Sequence, residues 1–269
     1  MVLFGTQRFE VAHAGRQRAY LLHIPETRQS ASPLVVMLHG AGGSAQFAAE
    51  ETGWSELANE LGFVVAYPEG LAKRPDKPPK FFTNPQEWQD GSGRGHADDV
   101  DFLATVLDIV SQQQAIDPQR IFVTGFSNGA GMSFRLAAEL PARVAALAPV
   151  AGHCWHSAPT SPKRIPTYFI FGDSDPLLPI AGGTAKTPWG TVTDRPSLKE
   201  TVDRWVKLSG LTLGSNHCQI KLVPQHGHHW PGGLGKLGTR LGGPLSTEFN
   251  ATREIWKFFM ANVRSESVQ

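Results

Sequence analysis

The segment Gly125-Phe126-Ser127-Asn128-Gly129 lies between an apolar, β-branched run and a run of good helix formers. Residues 121–124 before it predict a strand, and residues 132–140 after it predict a helix that Pro141 ends. A strand, a sharp turn at Ser127 and a helix are the context that a G-x-S-x-G nucleophile elbow requires. The motif alone is weak evidence, because it arises by chance in roughly one chain in ten of this length. Its interpretation therefore depends on the rest of the chain.

Apolar runs of strand length alternate with helical patterns along the chain. We predict strands at residues 34–38, 63–67, 121–124, 144–151, 167–171 and 219–223, after a hairpin of residues 8–13 and 18–24. We predict helices at residues 54–61, 98–114, 132–140, 198–208 and 247–263. This alternation predicts an α/β fold with a doubly wound, mostly parallel sheet. No repeat or linker interrupts it, so we expect residues 1–269 to form a single domain.

The composition excludes several classes of partner. Lys and Arg number 25 against 24 for Asp and Glu, so the chain has no broad positive field for nucleic acid or anionic membrane. No apolar run reaches the 18 or so residues that a membrane span needs. The first residues lack the basic and long apolar regions of a signal peptide and lie almost at the first strand. We therefore expect a chain whose signal is absent or already removed, and favour secretion over a cytoplasmic location.

The two cysteines, Cys154 and Cys218, are too few for a disulfide framework. Either one bridge or two independent buried thiols is consistent with the sequence. We carry the bridge forward as the hypothesis to test.

Polar side chains that could serve acyl transfer follow three of the predicted strands. Acyl transfer needs a serine, a base that takes its proton, an acid that orients the base, and donors for the oxyanion. The order Ser, acid, His is met by Ser127, by the turn with Asp173 and Asp175, and by the turn with His226, His228 and His229. Residue chemistry alone leaves the choice open within the second and third turns.

Two metal-binding alternatives deserve comparison with this interpretation. The three clustered histidines could bind zinc, but the carboxylates that might complete such a site lie on other turns. Asp98, Asp99 and Asp101 could also bind a cation, but acidic residues are favoured at a helix N-terminus for electrostatic reasons. We therefore predict no metal site.

The whole chain resembles the esterase family of poly(3-hydroxybutyrate) depolymerases and feruloyl or acetylxylan esterases, the LpqC-like α/β-hydrolases. Four motifs carry the resemblance, in the family's order: Leu38-His39-Gly40-Ala41-Gly42-Gly43, Gly125-Phe126-Ser127-Asn128-Gly129-Ala130, Gly172-Asp173-Ser174-Asp175 and Gly227-His228-His229-Trp230-Pro231-Gly232. By this resemblance Ser127 is the nucleophile, Asp175 the acid and His228 the base. It also implies that the backbone amides of Ala41 and Asn128 bind the oxyanion.

The resemblance implies an α/β-hydrolase fold and a serine esterase that works through an acyl-enzyme without a cofactor. The expected substrates are small or oligomeric esters, namely feruloyl, acetyl or other short-chain esters. Poly(3-hydroxybutyrate) or another polyester, or its oligomers, is the alternative. Acyl transfer to an alcohol would use the same residues, and a catalytically silent binding module is the rival from another class.

Three irregular segments, residues 68–97, 177–197 and 231–246, are predicted to leave the sheet on the side where ligands bind in such folds. Only about 15 residues separate the predicted strands 144–151 and 167–171, which leaves no room for a large lid there. Four tryptophans in or beside the connections at the carboxyl edge of the sheet are candidates for substrate binding: Trp88, Trp155, Trp189 and Trp230. We expect at least two of them merely to pack loops onto the sheet. The expected site is a flat, open cleft beside Ser127.

Overall fold

A computed structural model describes residues 5–28, 30–95, 97–156 and 164–264 of the 269-residue chain. Its strands are β1 (Thr6–His13), β2 (Arg16–His23), β3 (Ser32–Leu38), β4 (Val64–Pro68), β5 (Leu71–Ala72), β6 (Gln86–Glu87), β7 (Ile116–Phe126), β8 (Ala146–Val150), β9 (Thr167–Gly172), β10 (Gly183–Lys186), β11 (Val192–Arg195) and β12 (Cys218–Val223). Its helices are α1 (Ala45–Thr52), α2 (Trp54–Leu61), α3 (Asp99–Gln114), α4 (Asn128–Glu139), α5 (Leu198–Ser209), α6 (Thr239–Gly242) and α7 (Ala251–Ala261).

Eight of the strands form one sheet in the order β1-β2-β4-β3-β7-β8-β9-β12. The hairpin of β1 and β2 is antiparallel to its neighbours, and the other six strands run parallel. This confirms the predicted mostly parallel α/β sheet. Among the described residues, no helix is long and apolar enough to cross a bilayer.

Alternate residues of the central strands face two separate hydrophobic cores. In β3, Leu34, Val36 and Leu38 pack into one core, while Val35 and Met37 pack into the other. The first core is covered by α3, α4 and α5, and the second by α1, α2 and α7. Helices on both faces explain why the central strands are apolar throughout, and the sheet is doubly wound as predicted.

The direction in which successive strands are added to the sheet reverses between β3 and β7. From β3 it crosses to β4 on one side, and later returns to β7 on the other side of β3. Leu38 at the end of β3 pairs in register with Gly125 near the end of β7. The connections after these two strands therefore diverge at one point of the carboxyl edge, which is where open α/β sheets bind ligands.

The acidic start of α3 has a structural role. The Asp98 carboxylate caps the helix by accepting from the Asp101 amide at 3.2 Å. Asp99 is buried in an ion pair with Arg18, at 2.8 Å. These contacts agree with the helix-start interpretation of the acidic cluster.

Several elements differ from the sequence prediction, and the short elements β5, β6 and α6 lie in segments that were expected to be irregular. Helix α1 lies in a stretch for which no helix was predicted, and it is held in part by Glu51, whose carboxylate accepts from the amides of Gly235 and Lys236 at 2.7 and 3.1 Å. The segment expected to be irregular between β9 and α5 contains the antiparallel β10–β11 hairpin. Part of the segment between β8 and β9, residues 157–163, lies outside the described residues.

Candidate active site

The turn after β7 holds Ser127 in a backbone conformation that side chains rarely adopt, with φ 56° and ψ −116°. Two glycines make this turn possible. A Cβ atom at Gly125 would lie 2.3 Å from the Gly129 carbonyl oxygen, and one at Gly129 would lie 2.2 Å from the Leu38 carbonyl oxygen. The strain is therefore sustained by close backbone packing, as is common at functional sites.

Ser127, His228 and Asp175 come from three turns and form one hydrogen-bonded chain. The Ser127 hydroxyl oxygen lies 2.9 Å from His228 Nε2, and His228 Nδ1 lies 2.7 Å from Asp175 Oδ2. The side chains of His228 and Asp175 are buried. The carboxylate can thus hold the proton of the neutral imidazole on Nδ1, which leaves Nε2 free to accept a proton from the serine.

Both carboxylate oxygens of Asp175 have hydrogen-bond partners that hold the side chain in place. Oδ1 accepts from the amides of Leu177 and Leu178 at 2.8 and 2.9 Å, while Oδ2 faces His228. Burial by itself acts to raise the pKa of Asp175, but the charge and hydrogen bond of His228 and the two amides hold it below its ordinary value. The carboxyl group is consequently ionised at neutral pH. Asp173, in contrast, is exposed and bonds to the neighbouring Ser174 hydroxyl.

The other two histidines of the third turn have separate partners. His226 Nδ1 accepts from the Ser246 amide at 3.1 Å, and its Nε2 lies 3.2 Å from the His229 carbonyl oxygen. His229 Nε2 lies 3.1 Å from the Gly243 carbonyl oxygen. Both rings are buried and hold the loop that carries His228. Within the described ranges, no three His, Cys, Asp or Glu side chains are grouped so that they could hold a metal ion.

The peptide before Ala41 is oriented by a buried imidazole. The Gly70 amide donates to His39 Nε2 at 2.9 Å, so the proton of the neutral ring lies on Nδ1 and is donated to the Gly40 carbonyl oxygen at 2.8 Å. Burial lowers the pKa of His39, which favours this neutral form. In a trans peptide the N–H points opposite to the C=O. Anchoring the Gly40 carbonyl therefore fixes the direction of the Ala41 N–H.

Asn128 occupies the first position of α4, where a backbone N–H has no partner within the helix. Its side chain was not predicted to matter, yet it is buried and fully engaged. Oδ1 accepts from the Trp88 amide at 2.8 Å, while Nδ2 donates to the Trp88 carbonyl oxygen at 3.1 Å and to Asp90 Oδ2 at 2.7 Å. The side chain thus ties the long loop before α3 to the elbow.

A cavity of about 300 Å³ opens at Ser127. Its wall includes Ser127, His228, Ala41 and Asn128 together with an apolar group and a polar group. The apolar group consists of Phe47, Phe81, Phe82, Phe126, Trp155, Leu177, Leu178, Pro188, Trp189, Leu237 and Leu241, and the polar group includes Asp90, Ser92, Arg94, His153, Arg195 and Lys236. The site is therefore a concave pocket rather than the flat cleft that we expected.

The four candidate tryptophans divide into two pairs. Trp155 and Trp189 line the cavity, and Trp189 Nε1 donates to the Phe81 carbonyl oxygen at 2.6 Å. Trp88 and Trp230 are fully buried, and their indole nitrogens bond to the His39 carbonyl oxygen and the Thr252 hydroxyl, both at 2.9 Å. The expectation that these two contact substrate is not supported, because neither lines the cavity. That at least two of the four pack loops onto the sheet agrees with our prediction.

Cys154 and Cys218 are both buried and both free. The hypothesis of a disulfide is therefore wrong, and the alternative of two independent thiols is correct. Burial raises the pKa of Cys154 to about 12 and that of Cys218 to about 11.

The chain is similar to known proteins in sequence and in fold. The profile of the family described as "Esterase PHB depolymerase" matches residues 18–176, a range that contains Ser127 and Asp175. The chain is 36% identical over 218 residues to the putative esterase NocK of Nocardia uniformis subsp. tsuyamanensis, covering 75% of this chain and 59% of that protein.

The names of two further relatives state an enzymatic activity. Poly(3-hydroxyalkanoate) depolymerase C of Paucimonas lemoignei is 34% identical over 130 residues, which is 48% of this chain and 30% of that protein. Feruloyl esterase D of Neurospora crassa is 27% identical over 224 residues, which is 82% of this chain and 66% of that protein. The chain thus spans less than two thirds of the length of each of these three relatives.

Solved structures show the same fold at low sequence identity. Acetyl xylan esterase from Aspergillus awamori superposes with a TM-score of 0.63 at 16% identity, covering 94% of this chain and 99% of that one. An S-formylglutathione hydrolase from Agrobacterium tumefaciens gives a TM-score of 0.65 at 14% identity, covering 98% of both chains.

Proposed function

Because the chain belongs to the esterase PHB depolymerase family, we propose that it hydrolyses carboxylic esters with Ser127 as nucleophile. The observation that carries this proposal is the continuous path from the Ser127 hydroxyl through His228 to Asp175, at 2.9 and 2.7 Å. The strained backbone at Ser127 supports it, since it exposes a side chain at the start of a helix.

In the first half of the reaction, Ser127 Oγ attacks the ester carbonyl carbon while His228 Nε2 takes the hydroxyl proton. The carbonyl oxygen becomes negatively charged and accepts from the amides of Ala41 and Asn128. The tetrahedral intermediate then expels the alcohol, which receives its proton from the His228 imidazolium. Asp175 stabilises that imidazolium and keeps the ring in its orientation.

In the second half, a water molecule replaces the alcohol. His228 Nε2 takes a proton from the water as its oxygen attacks the acyl carbon, and the same two amides bind the oxyanion again. Collapse of this intermediate breaks the bond to Ser127 Oγ, which regains a proton from His228. The products are the free acid and the original enzyme.

The cavity supports a preference for short or aromatic acyl groups. Its volume of about 300 Å³ is at the lower end for ligand pockets, and Phe81, Trp155 and Trp189 offer flat apolar surfaces. Feruloyl and acetyl esters, and short-chain esters in general, are the substrates that we propose. Oligomers of 3-hydroxybutyrate are the alternative, which the name of the Paucimonas lemoignei relative also favours.

A panel of esters tests the activity and the substrate class together. It combines p-nitrophenyl esters of increasing chain length with methyl ferulate and a 3-hydroxybutyrate trimer. We expect activity on the short p-nitrophenyl esters and on at least one of the other two, with weak activity beyond about ten acyl carbons. A maximum at long chains, with nothing on ferulate or the trimer, would contradict the substrate proposal.

Variants test the assigned roles. Ser127→Ala and His228→Ala are each expected to lower kcat by several orders of magnitude. His229→Ala is the matched control for the base, because its ring bonds to a backbone oxygen and not to the serine. If His229→Ala were inactive and His228→Ala active, the assignment of the base would be wrong.

A further inference from the structure

Two arginines line the cavity without a carboxylate partner. Arg195 ends β11, and Arg94 lies in the connection between β6 and α3. The arginine ion pairs of the described ranges involve neither of them. Lys236, the third cation of the wall, is different because it pairs with Glu50.

Polar atoms at the same part of the wall also have no partner. Arg195 Nε and His153 Nε2 are buried, and neither makes a hydrogen bond within the described part of the chain. More than nine in ten buried polar groups in proteins are hydrogen-bonded, because leaving one unpaired is costly. His153 Nδ1 lies 2.9 Å from the Thr201 hydroxyl. A Thr201 hydroxyl that donates to Nδ1 leaves the imidazole proton on Nε2, where it can be donated to a ligand.

The carboxylates near these arginines are already engaged. Asp90 accepts from the Ser92 amide at 3.0 Å and from Asn128 Nδ2 at 2.7 Å, and Asp175 is bound to His228. Burial lowers the pKa of Arg195, and the positive charge of Arg94 lowers it further. A guanidinium stays charged in proteins, so two cations that repel one another lie here near two buried carboxylates, Asp90 and Asp175, whose oxygens already have hydrogen-bond partners.

We propose that Arg195, Arg94 and His153 form a carboxylate-binding subsite, so that the enzyme prefers esters that also carry a free acid group. Arginine suits this role because its planar donors match the two oxygens of a carboxylate. Most of the other side chains of the wall are apolar, Phe81 and Trp189 among them, so the preferred substrate has an apolar ester portion and one anionic end. Half-esters of dicarboxylic acids and hydroxy-acid oligomers with a free terminal carboxylate belong to this class. This inference rests on the proposed ester hydrolysis.

Two pairs of esters test the subsite, each comparing a carboxylate with its neutral primary amide. Monoethyl glutarate and its amide place the group on the acyl side. The 3-hydroxybutyrate dimer and its amide place it on the alcohol side. We expect the wild-type protein to favour the acid over the amide by about tenfold or more in kcat/KM in one of the two pairs, and higher salt to reduce this ratio. The pair that shows the preference identifies the side of the ester that the subsite binds.

Variants assign the preference to the arginines. Arg195→Gln is expected to bring the acid-to-amide ratio to about one, mainly through KM for the acid, and Arg195→Lys to retain part of it. Lys236→Gln is the matched control, and it should keep the wild-type ratio because that cation is already paired. Each ratio is measured within one variant, so a general loss of activity does not affect it. If Arg195→Gln is too unstable to assay, Arg94→Gln is expected to lower the same ratio.

The outcomes separate this inference from the proposed function. A wild-type protein that cleaves p-nitrophenyl butyrate but treats acid and amide alike in both pairs would overturn the subsite alone. An unchanged ratio in Arg195→Gln would do the same. A wild-type protein that cleaves no ester at all would overturn the proposed function.

Discussion

Replacing Asp175 by asparagine tests the hydrogen-bond geometry of the site with an almost isosteric change. Oδ1 of Asp175 accepts from two backbone amides, at 2.8 and 2.9 Å, so the carbonyl oxygen of an asparagine must take that position. Its NH₂ group is then forced to face His228 Nδ1, which lies 2.7 Å from the present Oδ2. An NH₂ group can only donate, so the ring must carry its proton on Nε2. That tautomer cannot take the proton of Ser127.

The expected loss follows from this wrong tautomer and from the missing negative charge beside the imidazolium. Comparable changes in serine hydrolases cost about 10⁴ in kcat, which corresponds to roughly 5 kcal/mol of transition-state stabilisation. The assay is kcat for p-nitrophenyl butyrate, with thermal unfolding as a check on folding. Asp173→Asn is the matched control and should retain nearly full activity, because that side chain is exposed and its hydrogen bond is to the neighbouring Ser174 hydroxyl rather than to His228. A folded Asp175→Asn protein with more than about a tenth of wild-type kcat would refute the reasoning, as would equal losses at both positions.

Three further predictions concern stability and the thiols. Burial lowers the pKa of His39, His153 and His226, so on acidification the unfolded chain binds protons near pH 6.5 before the folded chain does. The free energy of unfolding should therefore be fully present above that pH and fall below it by up to about 1.4 kcal/mol per pH unit for each histidine. A free energy of unfolding that is independent of pH between 7.5 and 4.5 would contradict this. Gly129→Ala should lower the free energy of unfolding by about 1–3 kcal/mol or more, because the new Cβ would lie 2.2 Å from the Leu38 carbonyl oxygen. A denaturant midpoint equal to that of the parent protein would show that the turn at Ser127 is less tightly packed than described. Thiol titration of the denatured, unreduced protein should find two free thiols, whereas none would restore the disulfide.

The parallel sheet could be predicted because its strands are buried on both faces and therefore appear as apolar runs. Helix α1 was missed because two of its polar residues are buried. The Glu51 carboxylate accepts from loop amides and the Thr52 hydroxyl donates to the Ala48 carbonyl oxygen, and no periodic pattern reveals such contacts. The β10–β11 hairpin was missed because Ala185 is its one buried residue and Val192 is exposed, so the sequence shows no apolar run and no apolar–polar alternation there. Tertiary contacts outweigh local sequence preference in both elements.

Ser127, Asp175 and His228 could be brought together from sequence because each directly follows a strand and each belongs to a recognisable motif. His153 and Arg195 were missed because neither lies in a motif, and their relevance depends on burial next to the cavity. The sequence could not separate Trp88 and Trp230 from Trp155 and Trp189, because an aromatic residue in a loop has the same sequence signature whether it faces a ligand or the core. For the Asn128 side chain, the sequence shows only a position next to Ser127. That position does not predict the hydrogen bonds of this side chain with Trp88 and Asp90.

The most direct test of the central claim is to trap the acyl-enzyme and locate the acyl group. Rapid mixing with a p-nitrophenyl ester at low pH, followed by acid quenching and peptide mass mapping, measures where the acyl group is attached. We predict one acyl group per chain, on the peptide that contains Ser127, and none on the Ser127→Ala protein. Unimpaired hydrolysis by Ser127→Ala, or an acyl group on any other residue, would contradict the account.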